Sequence, residues 1–310
     1  MFRRTAAAAA VIALGLSAGA RAQVKLEFKQ VPGTTSSKTV QKLQQSLTIN
    51  GNVLDTSTER SATTTRVVGT PAADGSVKVV DTIDALKIDL GLPGGIDIAF
   101  DSANPDAKPD NPMLAPIIEP FKVIAKSTFT LVFDKAGKLT GVESVKPGGD
   151  LAALSPAVAD QIKAEFDPKK VQKETARELD LFPAVGLKKG DTWTKDDIMQ
   201  LGQGQSMTFK RTYTYLGPVT EGGKSLEKID SKATAVDYKV DAGSPIKVPK
   251  SMLEIKSSAG TIFFDPKLGT IAKRDEKVNV VGTIDLEVMG MEFKDSKLDL
   301  TIETSTAQVK

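Results

Sequence analysis

The chain has no histidine and no cysteine, so its chemistry must come from carboxylates, arginine, lysine, serine or tyrosine. Histidine is the usual base near neutral pH, and cysteine the usual thiolate nucleophile and soft metal ligand. Serine–histidine triads, cysteine dyads, zinc hydrolase sites and disulfide scaffolds are therefore excluded. A few constellations remain. The loop with Asp101, Asn104, Asp106, Asp110 and Asn111 gathers oxygens that calcium accepts, with Asp101, Asp106 and Asp110 as the metal candidates. Its spacing is not that of an EF-hand, and a solvated turn prefers the same residues. Asp196 and Asp197 follow Trp193 and offer the two carboxylates of a glycoside hydrolase. Neighbours on a strand point to opposite faces, so the start of a helix near Thr194, with acids in its first turn, accounts for them better. Ser225 and Lys228 spell S-x-x-K, a pairing that works on a helix, but the surroundings read as a strand and no S-D-N or K-T-G companion occurs. Nothing cradles a phosphate or a dinucleotide, and no cofactor is expected.

Arg211 is the most informative charged residue. Met207, Phe209, Tyr213 and Tyr215 share its strand parity. On a buried face Arg211 needs a carboxylate partner, or must snorkel to water. It then fits an anionic head group inside a concave sheet, with Phe209, Tyr213 and Tyr215 as the other candidate ligand-binding residues. The competing reading is an edge strand whose arginine reaches solvent. Gly190-Asp191-Thr192-Trp193 reads as a turn delivering the single Trp to the core.

Period-2 alternation sets the elements that would position these groups. Phe129, Leu131 and Phe133, then Ile284, Leu286 and Val288, then Leu298, Leu300 and Ile302 alternate with polar or smaller residues, as antiparallel strands with one buried face do. Thr56 to Val68 carries few large apolar groups and reads as a strand polar on both faces, or an edge. Two hairpins are entered through Phe-Asp, at Phe133-Asp134 and Phe264-Asp265, where the Asp side chain can accept from amides of the turn. Their likeness suggests two related halves, 23–150 and 179–310, joined by a helical segment 151–178. Ser155-Pro156 predicts a helix start, with Ser155 as N-cap, and helices are expected near 113–125 and 155–178. Pro116 and Pro120 should keep the first short or kinked. The fold class expected is α+β, mainly β: long curved antiparallel sheets, half-barrel-like, with two or three helices on the concave face.

Residues 1–22 read as a signal peptide, with Arg3-Arg4, an uncharged run from Thr5 to Gly19, and Ala20-Arg21-Ala22 before a cut at Gln23. The sequence holds 41 Lys+Arg and 39 Asp+Glu, so losing Arg3, Arg4 and Arg21 leaves 38 against 39. A near-neutral mature chain argues against a nucleic-acid partner. No second long apolar stretch occurs, so no span is expected in a mature chain that is periplasmic or extracellular.

The stretches Phe100-Asp101-Ser102, Asn111 to Phe121, Phe129 to Glu143, Leu181-Phe182-Pro183 through Trp193, and Gly260 to Gly269 together resemble an uncharacterised family of secreted bacterial proteins, a domain of unknown function of planctomycete type. The long strands with few helices also look like half-barrel carriers of lipid or lipoprotein in the cell envelope. The leading expectation is an exported, non-enzymatic envelope protein that binds a hydrophobic or amphipathic ligand, a lipid for example, or an envelope protein partner, on a concave sheet. A structural or adhesive surface module is the alternative, and a carboxylate-based hydrolase a second.

Overall fold

The structure is a computed structural model that describes residues 23–105, 114–202, 204–240, 244, 246–288 and 290–309. The expected signal peptide at 1–22, and the candidates Asp106, Asp110 and Asn111, lie outside the described residues. The chain begins with the hairpin β1 (Gly33–Ile49) and β2 (Asn52–Val68), then β3 (Val77–Leu92), β4 (Ile96–Asp101) and helix α1 (Ala115–Ile124). Strands β5 (Thr128–Phe133) and β6 (Leu139–Lys146) follow, then helices α2 (Pro156–Glu165) and α3 (Pro168–Leu179). Six strands complete it: β7 (Thr192–Gly202), β8 (Gln205–Glu221), β9 (Lys224–Val240), β10 (Ile246–Asp265), β11 (Thr270–Val288) and β12 (Met291–Val309).

All these strands form one open antiparallel sheet in the order β6-β5-β3-β2-β1-β12-β11-β10-β9-β8-β7, with β4 on β3. The first and last strands pair along most of their length, from Ser36 opposite Val309 to Thr48 opposite Lys297. The two edges, β6 and β7, are joined in sequence by α2 and α3. The sheet is therefore mainly β and half-barrel-like, with the helices on its concave side.

Local chemistry explains the elements. In β8, Met207, Phe209, Arg211, Tyr213 and Tyr215 are buried while Lys210 between them is exposed, the alternation of a strand with one covered face. Both Phe-Asp hairpins close as the sequence implies. Asp134 Oδ1 accepts from the amides of Ala136 and Lys138, and Asp265 Oδ1 from those of Lys267 and Leu268. Bulges keep long strands in phase with the core. The shift between Thr63 and Thr64 against β3 leaves Asp84 without a counterpart. It lets Val77 and Val79 share a face with Leu86 and Ile88, all buried.

Three expectations change and two are narrowed. Thr192–Gly202 is a strand, with no helix starting near Thr194, because Thr192 to Asp197 pair in register with Thr214 to Phe209 of β8. Of the two readings of the Thr-rich β2, the strand polar on both faces holds and the edge does not, since it lies between β1 and β3. Arg211 does not reach solvent from an edge strand; it is 2% exposed in the interior strand β8. Ser155 precedes α2 without a side-chain cap bond, whereas Asp167 caps α3 by accepting from Lys169 N. Helix α1 is short, as its prolines imply: Pro116 stands in its first turn and Pro120 inside it, and it spans Ala115–Ile124.

The concave face is apolar at both ends and polar across its middle. At one end Leu26, Phe182, Tyr213, Tyr215, Ile229, Ile262 and Phe264 form one cluster, while Val77, Val79, Leu131, Phe133 and Leu139 form another. At the other end lie Met207, Phe209, Val280, Leu298 and Leu300, and α1 over Leu86, Ile88 and Phe100. Helix α3 crosses the trough. Its Val171 and Leu179 pack on the Val79–Phe133 cluster, and the segment after it puts Leu181 and Phe182 against Tyr213 and Phe264.

Candidate functional site

Between the apolar ends runs a belt of charged and hydroxyl side chains. On the β7–β11 side it is a four-membered charge ring. Arg211 Nε donates to Asp197 Oδ2 at 2.7 Å, and its Nη1 lies 3.6 Å from Glu276 Oε1. Arg274 Nη2 is 2.7 Å from Glu276 Oε2 and 3.5 Å from Asp197 Oδ2. Ser231 Oγ adds a bond of 2.9 Å to Glu276 Oε1. That bond crosses β10 above Gly260. A Cβ there would stand 2.2 Å from Ser231 Oγ and 2.9 Å from Glu276 Cγ, so only glycine fits. With both charges of each sign paired, the ring is neutral, which is what lets Arg211 stay in the interior. Burial works against the Arg274 charge, but Glu276 and Asp197 outweigh it and raise its pKa.

On the opposite wall Arg66 of β2 holds Asp81 of β3 in a two-pronged pair of 2.8 and 2.7 Å. The floor between the walls carries Thr35, Ser37 and Thr39 of β1, Thr64 of β2 and Thr306 of β12; α3 forms the roof. The space between them, partly open to solvent, has a volume of about 900 Å³.

Some of its groups lack partners, Tyr213 and Glu178 among them. Tyr213 is fully buried, stacked on Trp193 at 5.5 Å and 16°, and its hydroxyl makes no hydrogen bond among the described residues. Burial pushes its pKa well above that of a free tyrosine. Glu178 projects from α3 at an exposed position on the lining of the cavity. It makes no ion pair among the described residues. Desolvation raises its carboxyl pKa, with Arg274 and Arg66 pulling the other way.

Of the residues singled out from sequence, Tyr213 lines the cavity and Arg211 sits behind it in the charge ring. Phe209 packs in the Met207–Leu300 cluster. Tyr215 packs at the other end and donates to Glu227 at 2.5 Å. Asp196 and Asp197 both line the cavity. Asp101 pairs with Lys87 at 2.6 Å and accepts from Ala103 N, the work of a turn. Ser225 and Lys228 lie at the start of β9, and Trp193 Nε1 donates to Leu181 O at 2.9 Å. Sequence reasoning missed Arg66, Asp81, Glu178, Arg274 and Glu276. The one available signal was Gly260, a lone glycine inside a strand-like run.

A family of unknown function (DUF6263) matches residues 74–227. No curated protein matches the sequence. Among solved structures, lipovitellin, studied for its lipid–protein interactions, aligns at 12% identity and a TM-score of 0.42, over 91% of this chain and 26% of that one. This chain thus spans about a quarter of the lipovitellin chain. An outer membrane channel from Pseudomonas putida F1 aligns at 7% identity and a TM-score of 0.28, over 92% of this chain and 98% of that one. A DUF1329 family protein from Desulfovibrio piger aligns at 9% identity and a TM-score of 0.15, over 88% and 85%. No helix among the described residues is long and apolar enough to cross a membrane.

Proposed function

We propose that this chain is an exported envelope protein, not an enzyme, that holds an amphipathic ligand by its polar head in the trough beneath α3. The observation that carries this reading is the cavity of about 900 Å³ between the concave face and α3, whose wall contains a buried, unpartnered tyrosine hydroxyl. A volume of that size suits a small molecule or a lipid head group. A buried hydroxyl without a partner costs free energy that a bound acceptor would recover.

The lining decides which part of a ligand enters. Thr35, Ser37, Thr39, Thr64 and Thr306 offer hydroxyls, and the walls offer fixed ion pairs, so the trough suits a polar head rather than an acyl chain. Phe28, Leu179, Leu181 and Ile271 at one end of the cavity would meet the start of an apolar tail. Asp81 and Asp197 are committed to arginines, so neither carboxylate is free to act as a base without breaking an ion pair. Export rests on the signal-like residues 1–22.

The test is native mass spectrometry of the mature protein purified from its own envelope without detergent. A discrete added mass that extracts into organic solvent is expected. A clean mass of the chain alone, with no uptake of amphipathic probes, would overturn the reading.

A further inference from the structure

The chemistry of the unpartnered groups narrows the ligand class, on the premise that the trough is the binding site. On the wall the groups lacking partners are donors: the Tyr213 hydroxyl, in a side chain wholly buried, and Arg274 Nε. Both residues line the cavity. Donors left without acceptors ask for an oxygen that accepts two bonds at once. On the roof the situation is reversed. Glu174 and Glu178 line the same cavity from successive turns of α3, and neither makes an ion pair among the described residues. Arg66 and Arg274, the nearest cations acting on Glu178, are engaged with Asp81 and with Glu276.

We propose that the trough selects a zwitterionic head group, an ammonium and an oxyanion on one short linker. The ammonium sits against Glu178 and Glu174, and the oxyanion accepts from the Tyr213 hydroxyl and Arg274 Nε. A bare anion would face the unpaired acids of α3, and a bare cation would leave the wall donors without acceptors. Arg274 is the hinge of the arrangement, since its charge acts on both Glu178 and Tyr213. The same chemistry occurs in the ethanolamine head of a phospholipid and in a free amino-phosphate.

Calorimetric titration of the mature protein with phosphoethanolamine, inorganic phosphate and ethanolamine tests this. Phosphoethanolamine should bind about ten times more tightly than either half alone. Tyr213→Phe, which keeps the stack on Trp193, and Glu178→Gln should each weaken it about tenfold, with unfolding midpoints checked in parallel. Vesicles containing phosphatidylethanolamine and vesicles of phosphatidylglycerol separate the sources. Recruitment by the former alone identifies the lipid head; binding of the soluble probe without vesicle recruitment identifies a free zwitterion. Phosphate or ethanolamine binding as tightly as phosphoethanolamine, or equal recruitment by both vesicles, would overturn the proposal. So would no binding of any probe, with the unpartnered donors serving ordered water only. If a co-purified adduct without an amine is found in that last case, only the head-group assignment fails and the trough stands.

Discussion

Asp197 on the edge strand β7 lies 3.5 Å from Arg274 on β11, although β8, β9 and β10 run between them. In a flat sheet four strand spacings would separate their backbones by about 19 Å. Two side chains cannot span that, so the C-terminal strands must curl, and the charge ring with Arg211 and Glu276 marks the inside of the curl. The same curvature brings the β7–β11 wall to face the Arg66–Asp81 wall across one cavity.

Gly260 is where this curl meets a steric limit. Gly260→Ala would drive a methyl into Ser231 Oγ and Glu276 Cγ, and is expected to cost about 1–3 kcal/mol. Ser231→Ala in the same chain should relieve part of that cost, so the two effects will not add. Urea unfolding of both single variants and the double one measures the coupling.

Arg211→Met should be among the most damaging single changes, at about 3–5 kcal/mol, because it leaves Glu276 buried beside one cation fewer. Arg211→Met with Glu276→Leu removes one charge of each sign and leaves the Arg274–Asp197 pair. The double variant is expected to be more stable than Arg211→Met alone, as a double-mutant cycle would show.

Glu178 sets a pH dependence. Its pKa is raised in the folded protein, so the folded state holds this proton at pH values where the unfolded chain has released it. Stability from this group is therefore fully present below the ordinary carboxylate pKa and is lost as pH rises from there through the folded pKa. Glu178→Gln should be more stable than the parent at neutral pH and should flatten the stability profile above the ordinary carboxylate range. Unfolding midpoints across pH check the sign.

The three tyrosines give an optical version of the same argument. Tyr213 and Tyr215 are pushed up strongly by burial, and Tyr238 up to about 12. The folded protein should show almost no phenolate absorbance near the free tyrosine pKa of about 10. Because the unfolded chain ionises there first, stability should fall as pH rises beyond that point, and phenolate should appear together with unfolding. Early, independent titration of one or more tyrosines would contradict their placement.

How much of this was legible beforehand follows from where the partners lie in sequence. The alternation of Met207 to Tyr215 identified both the strand and its covered face, and the Phe-Asp turns were readable because each Asp bonds amides within four residues of itself. Arg274 and Glu276 were invisible because their partners Asp197, Arg211 and Ser231 come from strands far apart in the chain. Asp196-Asp197 was misread for a related reason. Acids after Trp-Thr resemble a helix start, and only pairing with β8 makes them a strand. Thr-rich β2 was legible as a strand polar on both faces but not as an interior one, because a wet strand is usually an edge; here one of its faces floors the cavity.

The most direct test of the trough as the ligand site compares the native mass of the mature parent with that of Ser37→Trp, both purified from the envelope. Ser37 lies on the cavity floor, half-buried and outside the apolar clusters, so an indole there fills the trough without entering the core. The parent should carry the adduct and the variant, folded, should emerge without it. An adduct retained by Ser37→Trp, or absent from both, would contradict the account.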